Sequence, residues 1–191
     1  MRKATQLFIA AVFAVAAAAC GDASNRDQST TGATGTSGAA ESSLSMGERN
    51  FVEEQLKDGS REVQLGKLAE ERASSAEVKE FAATMVQDHT MAGNKLKDIA
   101  RTVNVELEQD ENAARDDHER LSKLSGNEFD REYIDLMVKD HQDALDALQD
   151  QAENGDHPGV KQWASETLPR IKHHLETAQQ LQNQLKTEGR S

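Results

Sequence analysis

From Met46 onward, apolar side chains recur in steps of three and four, and no stretch alternates with period two. That spacing gathers apolar positions on one stripe of an α-helix and argues against strands. One stripe runs Val78, Ala82, Met85, His89, Ala92, Ile99 and Val103, with Leu96 between. A second runs Ile134, Met137, His141, Ala144 and Leu148, and a third Val160, Ala164, Thr167, Ile171, His174, Ala178, Leu181 and Leu185. On the segment before these, a turn of about 100° per residue places Phe51, Val52, Leu56, Val63, Ala69 and Ala73 in one sector, with Glu62 inside it.

Punctuation sets the boundaries. Ser45 to Glu48, Ser74 to Glu77 and Ser125 to Glu128 are Ser-x-x-Glu capping boxes, which satisfy the free N–H groups at a helix start. Pro158, after Asn154-Gly155-Asp156, suits a first helical turn because its missing N–H has no acceptor there anyway. The spacing predicts helices over 46–72, 75–103, 127–153 and 158–186, with a shorter one over 110–124 in the long middle connection. Helices of roughly 27 residues are about 40 Å long. Turns of a few residues make the first and last pairs antiparallel, hence an all-α, up-and-down four-helix bundle over 46–186 with one additional short helix.

The preceding chain reads differently. Met1-Arg2-Lys3, an apolar run from Leu7 to Ala19, and Cys20 form a basic, apolar and small-residue succession, that of a signal peptide over 1–20. Ala17-Ala18-Ala19-Cys20 resembles a bacterial lipobox, which makes Cys20, the only cysteine, the expected lipidation site. Plain secretion with an incidental Cys20 is the alternative. Residues 21–45 are rich in Ser, Thr, Gly and Ala and hold one large apolar side chain, Leu44. They cannot bury a core and are expected to be a flexible tether. The expected address is therefore the cell envelope: the periplasm, with a lipid anchor. Gly21 stands where many lipoproteins retained at the inner membrane carry Asp, which points to the outer membrane.

Composition narrows the partners. The 191 residues carry a formal charge of −12, and the leader holds two of the positive charges, so the processed chain carries −14. Such a surface repels nucleic-acid phosphates and anionic lipid headgroups, so no nucleic-acid partner is expected and membrane contact must be covalent or apolar. One Cys and two Pro exclude a disulfide framework and a thiolate-only metal cluster.

The candidate chemistry lies in the stripes themselves. Phe81-x3-Met85-Val86-x-Asp88-His89 recurs 52 residues later as Tyr133-x3-Met137-Val138-x-Asp140-His141. His89, His141 and His174 all fall on apolar stripes, while His173 is turned to the flank. Counting back from each turn puts Glu62, His89, His141 and His174 at a similar depth, to within about 5 Å in each hairpin. Buried ionisable groups must be paired, hydrogen-bonded or metal-bound. One outcome is a metal site with Glu62, His89, His141 and His174 as ligands and Asp88 and Asp140 as ligands or supports, suited to Zn, Fe, Mn or Cu. The other is a polar core network without metal, in a non-catalytic structural or protein-interaction molecule. Met85 and Met137, one turn before the histidines, suit copper(I) or plain core packing. Asp116, Asp117 and His118 suit a solvated face. No catalytic residue stands out: there is no nucleophile turn and no phosphate loop.

The chain resembles a bacterial family of unknown function, described as outer-membrane or periplasmic proteins and classed with ferritin-like bundles. The resemblance runs through Glu62-Val63-Gln64-Leu65-Gly66, the two Met-Val-x-Asp-His boxes, Leu124-Ser125-Gly126, and Leu168-Pro169 followed by His174-Leu175. It departs at Gln55-Leu56, Ser60 and Glu108. It implies a ferritin-like bundle in the cell envelope and leaves the activity open. Ferritin-like di-iron sites use Glu-x-x-His on two helices. That motif is absent here, so oxygen-activating di-iron chemistry is not expected.

Overall fold

The computed structural model describes residues 43–103, 105 and 112–188. The leader, Cys20 and nearly all of the tether lie outside the described residues. Five helices follow in order: α1 (Met46–Arg72), α2 (Ala76–Thr102), α3 (Arg115–Leu121), α4 (Gly126–Asn154) and α5 (Pro158–Glu188). No strand occurs among the described residues, so the chain is all-α. No helix of the described residues is long and apolar enough to cross a membrane. The short helix α3 occupies only the middle of the expected 110–124 span.

Caps explain the boundaries, with two corrections. Ser45 and Glu48 form the reciprocal box at α1. At α2 the cap is Ser75, whose side chain accepts from Val78 N; Ser74 instead donates its N–H and its hydroxyl to Asp130 of α4, at 2.9 and 2.5 Å. Ser125 takes the N-cap position of α4 without a side-chain bond. Gly126 follows it at φ +58°, a left-handed conformation that favours glycine. Helix α5 is continuous through Pro169.

Two buried carboxylates fix the order of the helices. Asp130, at the start of α4, also accepts from Ser75 N at 2.9 Å, so the starts of α2 and α4 lie together. Glu48, at the start of α1, accepts from His157 N at 2.6 Å, so α1 and α5 also start together. The simple up-and-down order expected from sequence would reverse every helix relative to its predecessor. Here α2 and α4 run parallel, and the connection carrying α3 returns along the length of the bundle. Helices α1 and α4 flank this return, with Arg61 of α1 bonded to Asp117 of α3 at 2.7 Å. Asp117 is therefore a structural partner and not merely part of a solvated face.

The interior is divided in two. One apolar cluster gathers Leu65, Leu68, Phe81, Phe129, Tyr133 and Leu181; the other gathers Val52, Leu96, Leu148, Val160, Trp163 and Ile171. Leu65 and Leu68 are core residues outside the sector drawn from sequence, whereas Phe51, Leu56 and Val63 are only half-buried. Met85 and Met137 are fully buried in the first cluster. Between the clusters lies a polar layer.

Candidate metal centre

One helix supplies each member of that layer: Glu62 from α1, His89 from α2, His141 from α4 and His174 from α5. The 3–4 spacing that makes each helix amphipathic carries these side chains inward with their apolar neighbours. His141 and His174 are 1% and 2% exposed. The three imidazole centroids lie 5.4–5.6 Å apart in every pairing.

Each ring has one nitrogen on an oxygen. His89 Nδ1 lies 2.9 Å from Glu62 Oε2. His141 Nδ1 lies 2.9 Å from the Met137 carbonyl oxygen and 3.5 Å from Glu62 Oε1. His174 Nε2 lies 2.9 Å from Asp88 Oδ2. Carbonyls and carboxylates only accept, so the facing nitrogen is the one that donates. In the neutral ring the lone pair then sits on the other nitrogen. Those are His89 Nε2, His141 Nε2 and His174 Nδ1, all three buried without a protein partner.

These three histidines could hold a metal ion, since each offers a nitrogen and the three atoms lie within 4.8 Å of one another. Zn–N distances of about 2.0–2.1 Å in a tetrahedron require nitrogens about 3.4 Å apart. An ion would draw the rings inward by about 1 Å or a little more, a motion within the reach of side-chain torsions.

Charge follows position. Burial works to raise the Glu62 carboxyl, but the imidazoles of His89 and His141 outweigh it and hold the group well below the usual carboxylate range. Burial works to lower His89, and the Glu62 carboxylate overrides it, so His89 is raised. Burial wins at the other two rings. His141 is lowered, and His174 is brought down to about 4, the neighbouring imidazoles adding to burial against Asp88.

The two Asp-His boxes diverge. Asp88 bridges His174 and Arg170, the latter at 2.8 Å. Asp140 binds Arg61, at 2.5 Å, in place of a ring; burial and the Glu62 charge push its carboxyl up to about 6 against the pull of Arg61. Of the six residues singled out from sequence, three histidines form the nitrogen cluster. Glu62 and Asp88 hold their rings, and Asp140 supports the helix pair through Arg61. Arg61 and Arg170 were not singled out; their positions beside the layer, Arg61 next to Glu62 and Arg170 four residues before His174, were the available signal.

A cavity of about 290 Å³ opens beside the layer, reaching Glu62, His89 and His141 from the α1–α4 side.

Residues 33–181 match the family described as Domain of unknown function (DUF4142). The chain belongs to this family. No curated protein and no solved structure gives a significant match. Membership agrees with the resemblance read from the Met-Val-x-Asp-His boxes as far as a domain of unknown function goes.

Proposed function

We propose that this DUF4142 member is an exported, lipid-anchored envelope protein whose bundle binds one transition metal ion through His89, His141 and His174. The observation that carries the reading is the set of three buried imidazole nitrogens that have no protein partner while the opposite nitrogen of each ring is held by an oxygen. Leaving such nitrogens buried and unpaired costs about 1–3 kcal/mol each. A shared ligand removes all three costs at once. A carboxylate or carbonyl behind a histidine is the usual support of a metal ligand, because it fixes the tautomer and raises basicity. Neutral imidazoles suit Zn, Cu and Fe, and a nearby carboxylate also admits Mn.

The single long crossover between α2 and α4 is the connection found in ferritin-like bundles, which supports that architecture as part of the proposal. Anchoring at Cys20 rests on the leader pattern, and a chain of −14 that repels anionic lipid surfaces would depend on the acyl group for membrane contact.

The test is metal titration of the processed, tag-free chain with elemental analysis. Zn, Mn, Fe and Cu are titrated against the thermal midpoint of wild type and of His89→Ala, His141→Ala and His174→Ala. The proposal expects one ion per chain and a stabilisation of about 2.7 kcal/mol when free metal is a hundredfold above Kd, diminished in every variant. Wild type without a specific metal response would leave a polar core network satisfied by buried water. For the anchor, Cys20→Ser should release the protein from membrane fractions.

A further inference from the structure

The cavity that reaches the histidine layer has an uneven wall. It is lined by five carboxylates against two cationic side chains, Arg61 and Lys139. Both cations are engaged, Arg61 by Asp140 and Asp117 and Lys139 by Asp143 at 2.6 Å. What remains is a line on α1: Glu54, Asp58 and Glu62, each one turn below the last. Positions four apart on a helix lie about 6 Å from one another on one face. Along this line Glu54 is exposed, Asp58 half-buried and Glu62 buried. The deepest member meets the Nδ1 side of His89 and His141, two rings that line the cavity and whose Nε2 atoms, on the far side, are buried without a partner.

The negative field is felt within the line itself. Burial raises the Asp58 carboxyl first, and the charges of Glu62 and Glu54 add to it against Arg61 and Lys57. Small residues keep the passage wide: Gly59 and Gly93 both face the cavity, and a β-carbon on Gly59 would stand 3.7 Å from His89 Nδ1.

We propose that this cavity is the door of the metal site, and that Glu54, Asp58 and Glu62 hand a hydrated cation inward turn by turn, so that the bound ion exchanges with the surroundings. The proposal rests on the metal reading above. Structural metal sites are closed by their ligands, whereas an open passage suits an ion that must come and go. A low-dielectric cleft lined by one sign of charge concentrates ions of the other sign and raises their association rate. The opposite approach, between α2 and α5, reaches His174 but neither His89 nor His141, and is walled by Phe81, whose ring meets the His174 imidazole edge-on at 6.5 Å. Glu77 and Glu80 stand at its rim.

Cobalt(II) uptake by the processed, tag-free chain tests this, with visible absorption followed by stopped flow. Glu54→Gln with Asp58→Asn should slow association roughly three- to tenfold at low ionic strength, with the difference largely gone near 0.5 M salt. Glu77→Gln with Glu80→Gln should load at the wild-type rate. Circular dichroism and the thermal midpoint check that both double variants are folded. Loaded wild type should yield its cobalt to excess chelator while folded. Equal uptake by the first pair and wild type, slowing by the second pair instead, or release only on unfolding would overturn the door. Wild type that takes no cobalt at all would overturn the metal reading itself, a distinguishable result.

Discussion

The Glu62 carboxylate of α1 meets His89 Nδ1 of α2 at 2.9 Å in the middle of the bundle. Its second oxygen lies 3.5 Å from His141 Nδ1, whose hydrogen bond goes to the Met137 carbonyl at 2.9 Å, so one carboxylate orients the His89 ring and sets the field at His141. The charge it carries also favours the N–H on the side facing it, which turns the lone pair of neutral His89 toward the other histidines.

Replacing Glu62 should therefore weaken metal binding without removing a ligand. Glu62→Gln keeps an acceptor for His89 but removes the charge, and Glu62→Ala removes both. Loss of such a support commonly costs about 10–100-fold in affinity. The expected order is wild type, then Glu62→Gln, then Glu62→Ala, with stoichiometry unchanged, against near-complete loss in His89→Ala. Competition titration with a zinc indicator reads the order; Glu62→Ala with full affinity would remove the carboxylate from the site.

A second consequence concerns protons. His141 and His174 are lowered and neutral near pH 7, whereas His89 is raised above its ordinary value and holds its extra proton longest. A metal must displace the proton on His89 Nε2 while the Nδ1 proton stays with Glu62. Where His89 still carries its extra proton, uptake should release about one proton and Kd should fall about tenfold per pH unit; once His89 deprotonates the dependence should level off. Below about pH 4, where His174 also protonates, the dependence should steepen. Calorimetric titration in two buffers of different ionisation enthalpy counts the protons. Release of two or more near pH 7 would contradict the lowered His141 and His174.

The sequence revealed the layer but not its wiring, for a physical reason. Periodicity records which side of a helix faces inward, and His89, His141 and His174 all lie on apolar stripes. What each carboxylate meets depends on the helix that packs against it. The repeated Met-Val-x-Asp-His boxes are alike along the chain, yet Asp88 faces Arg170 and His174 from α5 while Asp140 faces Arg61 from α1. The parallel course of α2 and α4 was hidden likewise. Short turns fix the direction of neighbours, but a connection of some twenty residues can either return or cross, and only the contacts of Asp130 and Glu48 distinguish the two. Even Ser74 and Ser75 exchanged roles because an acceptor from α4 reached the first.

Asp130 offers a test of that crossover. Its carboxylate is fully buried and receives Ser74 N, Ser74 Oγ and Ser75 N, capping the start of α2 from a neighbouring helix. Asp130→Ala leaves these donors without their acceptor at the point where α1, α2 and α4 meet. Hydrogen bonds to a charged group contribute about 1.5–3 kcal/mol each, and water can replace part of this at exposed Ser74 and half-buried Ser75, so a loss of about 3 kcal/mol in chemical denaturation is expected. Ser75→Ala, which removes only the partly exposed local cap, should cost about 1 kcal/mol. Equal losses would mean that the contact between helices adds nothing to the local cap.

The closeness of α1 to α2 can be tested by two glycines that differ only in what stands opposite them. Alanine is favoured over glycine in a helix interior by about 1 kcal/mol, so propensity alone predicts that Gly66→Ala and Gly93→Ala both stabilise. A β-carbon at Gly66 would lie 2.8 Å from Val86 Cγ2 and 3.2 Å from the Ala82 carbonyl oxygen. Valine is stiff at χ1 and the carbonyl belongs to a helix backbone, so neither yields without moving α2. Overpacking of that kind costs about 1–3 kcal/mol. At Gly93 the nearest atom would be Leu56 Cδ2 at 3.9 Å, an ordinary contact. The expected outcome is a net loss of about 1 kcal/mol for Gly66→Ala and a gain of about 0.5–1 kcal/mol for Gly93→Ala. Each corresponds to a shift of about 2–4 °C in thermal midpoint, in opposite directions. Because Gly66 lies one turn below Glu62, spreading the two helices there should also draw Glu62 from His89. Gly66→Ala should accordingly bind metal more weakly than Gly93→Ala when both are measured well below their midpoints.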